Sequence, residues 1–325
     1  MSSLTGGSLQ VRQSGIFGRF TTWLDAMPHP AAVCEIAADH VAVARWSARG
    51  ANLEAGGVEA LESGAINPSP VETNIPNSGA VQSALRRLID RFALHGQDLA
   101  LLLPDPVVRV FILPFEMLPR RADEAIPLLR FRLKKSVPFD VEDTVISWMR
   151  QPARNGGLEI ITAVARKPMV REYEAAIEAV GGKPGVVLSS TLACMPLLDE
   201  SGATMLVRIG GKSLTTVIVR GGILCVYRAT EMAADVAQLE FQAIVDEIFP
   251  AVAYYQDTWG GELDRILLAG FGEREETIRA TLENELRTTA LPLAESETVR
   301  RFPGETRALL SQGLESLVGW MANGI

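Results

Sequence analysis

Paired cysteines, clustered histidines and long hydrophobic runs are all missing from this sequence. Its three cysteines (Cys34, Cys194 and Cys225) lie far apart in 325 residues and show no C-x-x-C spacing. We therefore expect free, buried thiols in a reducing compartment rather than disulfides. The three histidines are scattered, so no metal site is predicted from them.

No stretch reaches the 18 or so apolar residues that a membrane-spanning helix needs. The first ten residues lack the basic segment and apolar core of an export signal, so we expect a soluble, cytoplasmic protein. Basic residues are also scarce. With 31 Lys and Arg against 39 Asp and Glu, the formal net charge is −8, which argues against nucleic acid as the main partner.

The length of 325 residues suggests two lobes. Short β-type runs between Val33 and Leu61 predict a three-stranded meander, and a second meander is predicted between Thr204 and Arg228. Each half adds further helices and strands. They include a helical stripe at 81–92 in the first half and a long helix at about 233–255, kinked at Pro250, in the second. The repetition predicts a duplicated α/β plan with a cleft between the lobes as the natural ligand site.

Between the halves, the pattern predicts an inserted β-hairpin, helix and β-hairpin, with Pro127 in the first turn of that helix. The expected organisation is a tail and amphipathic helix at 1–28, a first lobe at 29–97 and 168–202, an inserted subdomain at 98–167 and a second lobe at 203–325. The aromatic-rich helix near 16–24 is compatible with docking on its own domain or lying on a membrane surface.

A Gly-Gly-Lys-Ser sequence at Gly210, Gly211, Lys212 and Ser213 has the composition of a phosphate loop. It lacks the glycine five residues before Gly211 and lies between two strands, so the P-loop interpretation fails. A tight hairpin turn remains one reading, and a backbone cradle for phosphate the other. The basic run 130–135 is likewise compatible with a solvated helix face, an acidic partner or an anionic membrane.

Three stretches resemble PilM, the actin-like protein of type IV pilus assembly. Residues 99–148, which include Pro138-Phe139 followed by an acidic residue and a strand, look like that family's inserted subdomain. Residues 174–198 are similar to its return segment, and residues 241–273 to its late helix and adenosine-side turn. The resemblance implies an α/β fold of duplicated actin-like (ribonuclease H-like) lobes with an inserted α+β subdomain.

The resemblance also implies ATP between the lobes and a bitopic inner-membrane partner like PilN, whose cytoplasmic tail enters a groove beside the inserted subdomain. The nucleotide-binding residues, if retained, are Gly210 to Ser213 together with Gly270, Phe271 and Gly272. The residues expected in the partner groove are Leu133, Val137, Pro138 and Phe139. The protein would then act in the cytoplasm at the inner face of the inner membrane, touching the membrane peripherally or through its partner.

The chain departs from the family's nucleotide motifs. Where the family carries Asp-x-Gly in both hairpins, this sequence has Glu35-Ile36-Ala37 and Arg208-Ile209-Gly210. Replacing an aspartate by Arg208 changes the local charge by two units, and one unit-charge interaction at 4 Å is worth about 4 kcal/mol at an effective dielectric of 20. A Mg²⁺ site becomes poor. We expect Glu35 and Arg208 to form an ion pair across the cleft that latches the lobes without ATP.

These features predict a non-catalytic scaffold of a type IV pilus or type II secretion-like inner-membrane complex, with no cofactor expected and binding of ATP and Mg²⁺ doubtful. An active actin-like ATPase is the alternative, and a small-molecule kinase with Glu35 as base is a third. No catalytic residue is assigned, and self-association is left open by the sequence.

Overall fold

Residues 29–47, 52–199 and 201–322 are described by the computed structural model of the chain. The amphipathic helix expected near residues 16–24 lies outside the described residues. Within the described part, no helix combines the length and the hydrophobicity needed to cross a bilayer.

Thirteen strands and eight α-helices can be followed in the described residues. The strands are β1 (Ala32–Ile36), β2 (His40–Trp46), β3 (Leu53–Ala60), β4 (Asp98–Leu103), β5 (Arg109–Phe115), β6 (Thr144–Pro152), β7 (Leu158–Arg166), β8 (Lys183–Ser189), β9 (Ala203–Gly210), β10 (Ser213–Arg220), β11 (Ile223–Glu231), β12 (Arg265–Ala269) and β13 (Ala290–Pro292). The helices are α1 (Ser78–Arg91), α2 (Ala122–Leu133), α3 (Lys167–Glu178), α4 (Ser190–Cys194), α5 (Phe241–Trp259), α6 (Glu275–Leu286), α7 (Gly304–Leu310) and α8 (Glu315–Ala322).

Two five-stranded sheets share one topology. The first has the order β3-β2-β1-β4-β8 and the second the order β11-β10-β9-β12-β13. In each sheet, three strands form an antiparallel meander that ends at the central strand, β1 or β9. Two further strands continue the sheet in parallel on the other side of that central strand. The strands β1 and β9 therefore hold equivalent positions, and both are buried almost throughout because apolar side chains occupy both faces. The predicted duplication is confirmed.

A separate antiparallel sheet has the order β5-β7-β6 and carries α2 on one face. It begins at Arg109, later than the boundary expected at residue 98. The reason is that Asp98–Leu103 pairs in parallel with β1 and β8 and so belongs to the first sheet. Pro127 lies beyond the first turn expected for it, inside α2.

The long helix of the second lobe begins at Phe241, not at the expected residue 233, and runs through Pro250 without dividing. The segment before Phe241 packs along the β9–β10 turn instead of forming a helix. The backbone N–H of Met232 donates to the carbonyl of Lys212, and that of Val236 donates to the carbonyl of Gly211. These bonds satisfy the backbone groups that a helix would otherwise pair.

The helix α8 follows the second sheet in sequence but packs on α4 and β1 of the first lobe. Gly319 allows this approach, because a Cβ atom there would lie 2.1 Å from the carbonyl oxygen of Ala193. Trp320 is fully buried and donates its indole N–H to the carbonyl of Pro30 at 3.1 Å. The two lobes are thus joined by a helix as well as by the chain connection between them.

Candidate functional site

A cleft of about 700 Å³ lies between the lobes. Its walls include the β1–β2 turn at Ala37-Ala38, the β9–β10 turn at Gly210-Gly211, and Gly270 and Gly272 after β12. These turns meet because β1 and β9 occupy equivalent places in their sheets. The sequence therefore placed the cleft correctly between the two meanders.

The glycines of the cleft have structural reasons to be there. Gly270 has φ +83°, and a Cβ atom at that position would lie 2.4 Å from the carbonyl oxygen of Ile209. Gly211 has φ +58° and faces the methyl group of Ala38. A positive φ strains most other residues, so the turn geometry alone accounts for glycine at both positions.

The other residues proposed for nucleotide binding divide into two groups. Ser213 lines the cleft, and its buried hydroxyl makes no hydrogen bond within the described structure. Lys212 is exposed and is not part of the cleft wall. Phe271 is buried in the hydrophobic core of the second lobe. The structure thus brings the glycines and Ser213 to the cleft, but neither Lys212 nor the Phe271 side chain.

The floor of the cleft is a buried ion pair between the lobes. Nη2 of Arg208, on β9, lies 3.2 Å from Oε1 of Glu35, on β1. Glu35 is completely buried, and its carboxylate also accepts hydrogen bonds of 2.6 Å from the hydroxyls of Ser190 and Ser316. One carboxylate therefore receives donors from the first lobe, the second lobe and α8, and the sequence had indicated only the arginine.

Asp105 is a second buried carboxylate that sequence reasoning missed, since the Pro104-Asp105-Pro106 sequence resembles an ordinary turn. It accepts hydrogen bonds from the N–H of Thr191 at 3.0 Å, the hydroxyl of Thr215 at 2.9 Å and that of Tyr227 at 3.4 Å. Nη1 of Arg208 lies 3.6 Å from its Oδ2. We call Glu35, Asp105 and Arg208 with their hydroxyl partners the interlobe cluster.

The charges of the cluster set the protonation of its members. Burial alone would raise the pKa of Glu35, but contact with His40 and the charge of Arg208 outweigh it and lower the pKa to about 2. Burial would lower the pKa of His40, yet its contacts with Asp39 and Glu35 raise it to about 10. Burial raises the pKa of Glu315, whose Oε2 has no hydrogen-bond partner in the described structure.

A general base needs a pKa near the working pH. The pKa of Glu35 lies far below that range, and its carboxylate already pairs with Arg208. Glu35 is therefore unsuited to be the general base that the kinase interpretation requires. Mg²⁺ also fits poorly, because the guanidinium of Arg208 stands between the two carboxylates that would otherwise face the metal. Among the described residues, no group of three or more histidine, cysteine or carboxylate side chains is arranged to hold a metal.

The electrostatics of the cleft are unfavourable for a nucleotide. Arg208 and His40, whose pKa is raised to about 10, are the cationic side chains among the described residues of the wall. The carboxylates that share the wall are Glu35, Asp39, Asp105, Asp235, Glu275, Glu295 and Glu315. A polyphosphate would have to approach this surplus of negative charge while Arg208 is held by Glu35 and Asp105.

A second cavity, which we call the β8 groove, has a volume of about 350 Å³ and lies between the first lobe and the three-stranded sheet. Val186, Val187 and Leu188 of β8 form one wall, and Val145 and Ala163 of the small sheet form the other. Because β8 is the terminal strand of the first sheet, its outer edge has no strand partner among the described residues. The groove is therefore apolar and bordered by an open strand edge.

None of the four residues expected in the partner groove lines the β8 groove. Leu133 is fully buried in a small core with Val141 and Val164, and Val137 and Phe139 pack against that core half-buried. Pro138 lines a different cavity of about 400 Å³, beside Tyr227 and Arg228. Leu133, Val137 and Phe139 thus pack on the three-stranded sheet, and a partner groove at the four residues stays a prediction.

Comparison with solved structures identifies the fold, whereas comparison by sequence finds no match. No protein-family model and no curated protein matches the sequence. Among solved structures, a chain of the PilM–PilN type IV pilus biogenesis complex superposes with a TM-score of 0.71 at 18% identity, over 91% of this chain and 98% of that one.

Weaker likenesses, with TM-scores below 0.5, extend to two other structures. The cytoplasmic domain of EpsL, an inner-membrane component of the type II secretion system of Vibrio cholerae, gives a TM-score of 0.47 at 14% identity over 73% of this chain and 80% of that one. A protein of actin-like ATPase fold and unknown function from Bacteroides thetaiotaomicron gives 0.49 at 11% identity over 82% and 91%. The described architecture and the first likeness establish an actin-like fold shared with the pilus protein.

Proposed function

We propose that this chain is a non-catalytic adaptor of a type IV pilus or type II secretion-like assembly, and that it binds the cytoplasmic tail of a PilN-like membrane protein. The observation that carries the proposal is the fold shared over 91% of the chain with a chain from a PilM–PilN complex. In this proposal the protein works in the cytoplasm at the inner face of the inner membrane.

The β8 groove is the site that suits such a tail. An extended peptide can add to an open strand edge through backbone hydrogen bonds, while side chains on alternate residues enter pockets on one side. The edge of β8 offers the backbone groups, and Val145, Val186 and Val187 offer an apolar wall. We infer a tail with apolar residues at alternate positions.

The rim of the groove suggests one more feature of the tail. Glu174, on α3, is the single charged side chain among the described residues that line the groove. Glu174 already lies 3.4 Å from Arg171, so a lysine or arginine of the bound segment would share this carboxylate at the rim and gain at most about 0.2 to 1 kcal/mol. The groove thus favours an apolar tail with a basic residue.

The interlobe cluster supports the non-catalytic part of the proposal. Glu35, Asp105 and Arg208 already satisfy one another across the cleft, and Mg²⁺ and phosphate would have to break those contacts to bind. The two lobes are held together by these contacts without a bound nucleotide. The protein then acts as a rigid platform, without a nucleotide cycle.

The experiment is calorimetric titration of the full chain with synthetic tails of bitopic membrane proteins encoded beside its gene. Val145 is 49% exposed and lines the groove, so Val145→Asp should abolish binding without unfolding the protein. Val58, 40% exposed on β3, is outside the groove lining, and Val58→Asp is the matched control that should bind normally. If the Val145→Asp protein still binds the tail, the tail binds at a site other than the β8 groove. If no tail binds to the wild type, the adaptor proposal is wrong.

A further inference from the structure

The cavity that Pro138 lines has a volume of about 400 Å³ and lies between strands of two different sheets. Three consecutive residues of β5 and three of β11 form most of its wall, so we call it the β5–β11 cavity. The strand β5 is the terminal strand of the three-stranded sheet, and β11 is the terminal strand of the second five-stranded sheet. The cavity therefore lies where the small sheet meets the second lobe.

The charged side chains of this wall all have the same sign. They are Arg109 and Arg228, and no carboxylate is found among the described residues that line the cavity. The whole chain has a net charge of −8, and the interlobe cleft is lined mainly by carboxylates. A positively charged cavity in an acidic protein attracts anions and repels cations.

Arg109 is half-buried and has no partner. Its side chain makes no ion pair and no hydrogen bond with any described residue. A guanidinium group has five N–H donors and keeps its charge at every physiological pH. Because water reaches a half-buried group only in part, a carboxylate that pairs with Arg109 gains more than it would at an open surface.

Two carboxylates contact residues of the wall, and both are engaged elsewhere. Glu247 pairs with Arg228. Asp105, which accepts a hydrogen bond from the hydroxyl of Tyr227, belongs to the interlobe cluster. The charge of Arg228 is thus already balanced, whereas the charge of Arg109 is open to a ligand.

The surface beside the cavity is basic on balance. Lys134 and Lys135 directly precede Ser136 of the wall, and both are exposed and make no ion pair with a described residue. Asp140, two residues beyond Pro138, is the acidic residue of the segment 134–140. The two lysines strengthen the attraction that an anion experiences on its way to Arg109.

The rest of the wall indicates what kind of anion fits. One free guanidinium matches one planar carboxylate, because the two groups can form a pair of parallel N–H···O hydrogen bonds. Apolar side chains surround that position, and they belong to Val108, Val110, Phe111, Pro138 and Ala229. Such a wall suits the methylene groups next to a carboxylate, and inorganic phosphate has no such groups.

We propose that the β5–β11 cavity binds a carboxylate carried on an aliphatic arm, with Arg109 as its ion-pair partner. The arm is the side chain of an acidic peptide or a small dicarboxylic acid, since both present the same group to the wall. This site goes beyond the proposed adaptor function. Among the described residues, the β5–β11 cavity and the β8 groove share only Val108, so the two sites can be occupied independently.

Calorimetric titration of the full chain with two probes tests the site. The probes are glutarate and a peptide of alternating glutamate and threonine with blocked ends. The wild type should bind at least one of them, and the binding should weaken as salt is raised. Arg109→Ala should raise the dissociation constant by about tenfold or more. Arg109→Lys should raise it less, because lysine keeps the charge but loses the paired hydrogen bonds.

Two controls separate binding from folding and from the β8 groove. Arg86→Ala, at an exposed arginine of α1 outside the cavity, should bind both probes like the wild type. Arg109 has no partner in the described structure, so the melting temperature of Arg109→Ala should stay within about 2 °C of the wild type. Val145→Asp, which tests the groove, should also bind the probes normally.

Three outcomes overturn the proposal. The first is that neither probe binds to the wild type at millimolar concentration, and the second is that a probe binds equally well to Arg109→Ala. The third is that inorganic phosphate binds as tightly as glutarate, which would make the cavity a site for inorganic anions. Either order of the two probes supports the proposal: tighter binding of the peptide assigns the site to an acidic partner segment, and tighter binding of glutarate assigns it to a small acid.

Discussion

Glu35 and Arg208 lie 3.2 Å apart although 173 residues separate them in the chain. They stand on β1 and β9, the equivalent central strands of the two sheets, so the duplication of the fold brings them face to face. Both are buried, and Arg208 also contacts Asp105. The middle of the cleft is therefore occupied by the protein's own paired charges.

Arg208→Ala should destabilise the protein by about 3 to 5 kcal/mol, because it leaves Glu35 and Asp105 buried without a counter-charge. Urea denaturation of the variant and the wild type measures the difference. The double variant Glu35→Gln/Arg208→Met should recover part of the loss, since it removes the charge of Glu35 together with that of Arg208, while Asp105 keeps its hydrogen bonds from Thr191, Thr215 and Tyr227. An Arg208→Ala protein as stable as the wild type would contradict a buried interlobe latch.

The stability should depend on pH through Glu35 and His40. The pKa of Glu35 falls from 4.5 to about 2 on folding, so its contribution is complete above 4.5 and is lost as the pH drops towards 2. The pKa of His40 rises from 6.5 to about 10, so its contribution is complete below 6.5 and is lost as the pH rises through 10. The contributions of these two groups are jointly complete between pH 4.5 and 6.5.

His40→Asn should remove the alkaline part of this dependence. The free energy of unfolding, measured from pH 6.5 to 10, should then fall less steeply than in the wild type. His95→Asn, at an exposed histidine that contacts Asp90 outside the cleft, controls for the loss of an imidazole elsewhere in the first lobe. Equal slopes for the wild type and His40→Asn would show that His40 is not the titrating group.

Leu133→Ala should act on stability and not directly on a partner. The side chain is fully buried with Val141 and Val164, and a leucine-to-alanine change in a core costs about 2 to 5 kcal/mol. Limited proteolysis should show cleavage within residues 109–166 before cleavage of the two lobes. If the Leu133→Ala protein is as stable as the wild type but no longer binds the tail, Leu133 contacts the partner directly.

Gly319→Ala tests the packing of α8 on the first lobe. The added methyl group would overlap the carbonyl of Ala193, and overpacking of this kind costs about 1 to 3 kcal/mol. Gly304→Ala, in α7, meets no atom within 4 Å and should be neutral or slightly stabilising. The melting temperatures of the two variants compare a glycine with no room for a methyl group with a glycine that has room for one.

ATP with Mg²⁺ should leave the melting temperature unchanged. A ligand stabilises the folded state by RT ln(1 + [L]/Kd), so a shift is expected at any concentration well above Kd. Purified protein should likewise release no phosphate, with an established ATPase as positive control. A clear thermal shift that is lost in Ser213→Ala, whose hydroxyl lines the cleft, would support the nucleotide-binding alternative.

The regular elements could be predicted because their signals are local. Alternating apolar residues and glycine turns indicate the two meanders, and Gly156, with φ +81°, lies in the turn of the second hairpin predicted for the insertion. The start of α5 was missed because hydrogen bonds to the distant β9–β10 turn compete with helix formation in the segment before Phe241.

The site was predictable only in part because its contacts are long-range. Asp105 bonds to Thr191 and Tyr227, which are 86 and 122 residues away, and no local pattern indicates such partners. The β8 groove depends on how the small sheet stands against the first lobe. Leu133 lies at the end of α2 on the side that faces the small sheet, and Phe139 packs half-buried beside it, which the sequence pattern alone does not indicate.

The hydroxyl of Ser316 reaches Glu35 across 281 residues of sequence. A ribosome makes these residues one after the other, and domains fold from the N-terminal side as they emerge. The carboxylate of Glu35 therefore lacks one of its donors until residue 316 has been made. The hydrogen-bond set at the centre of the first sheet is completed only after that point, so Glu35 is hydrated in any folding intermediate in which α8 has not docked.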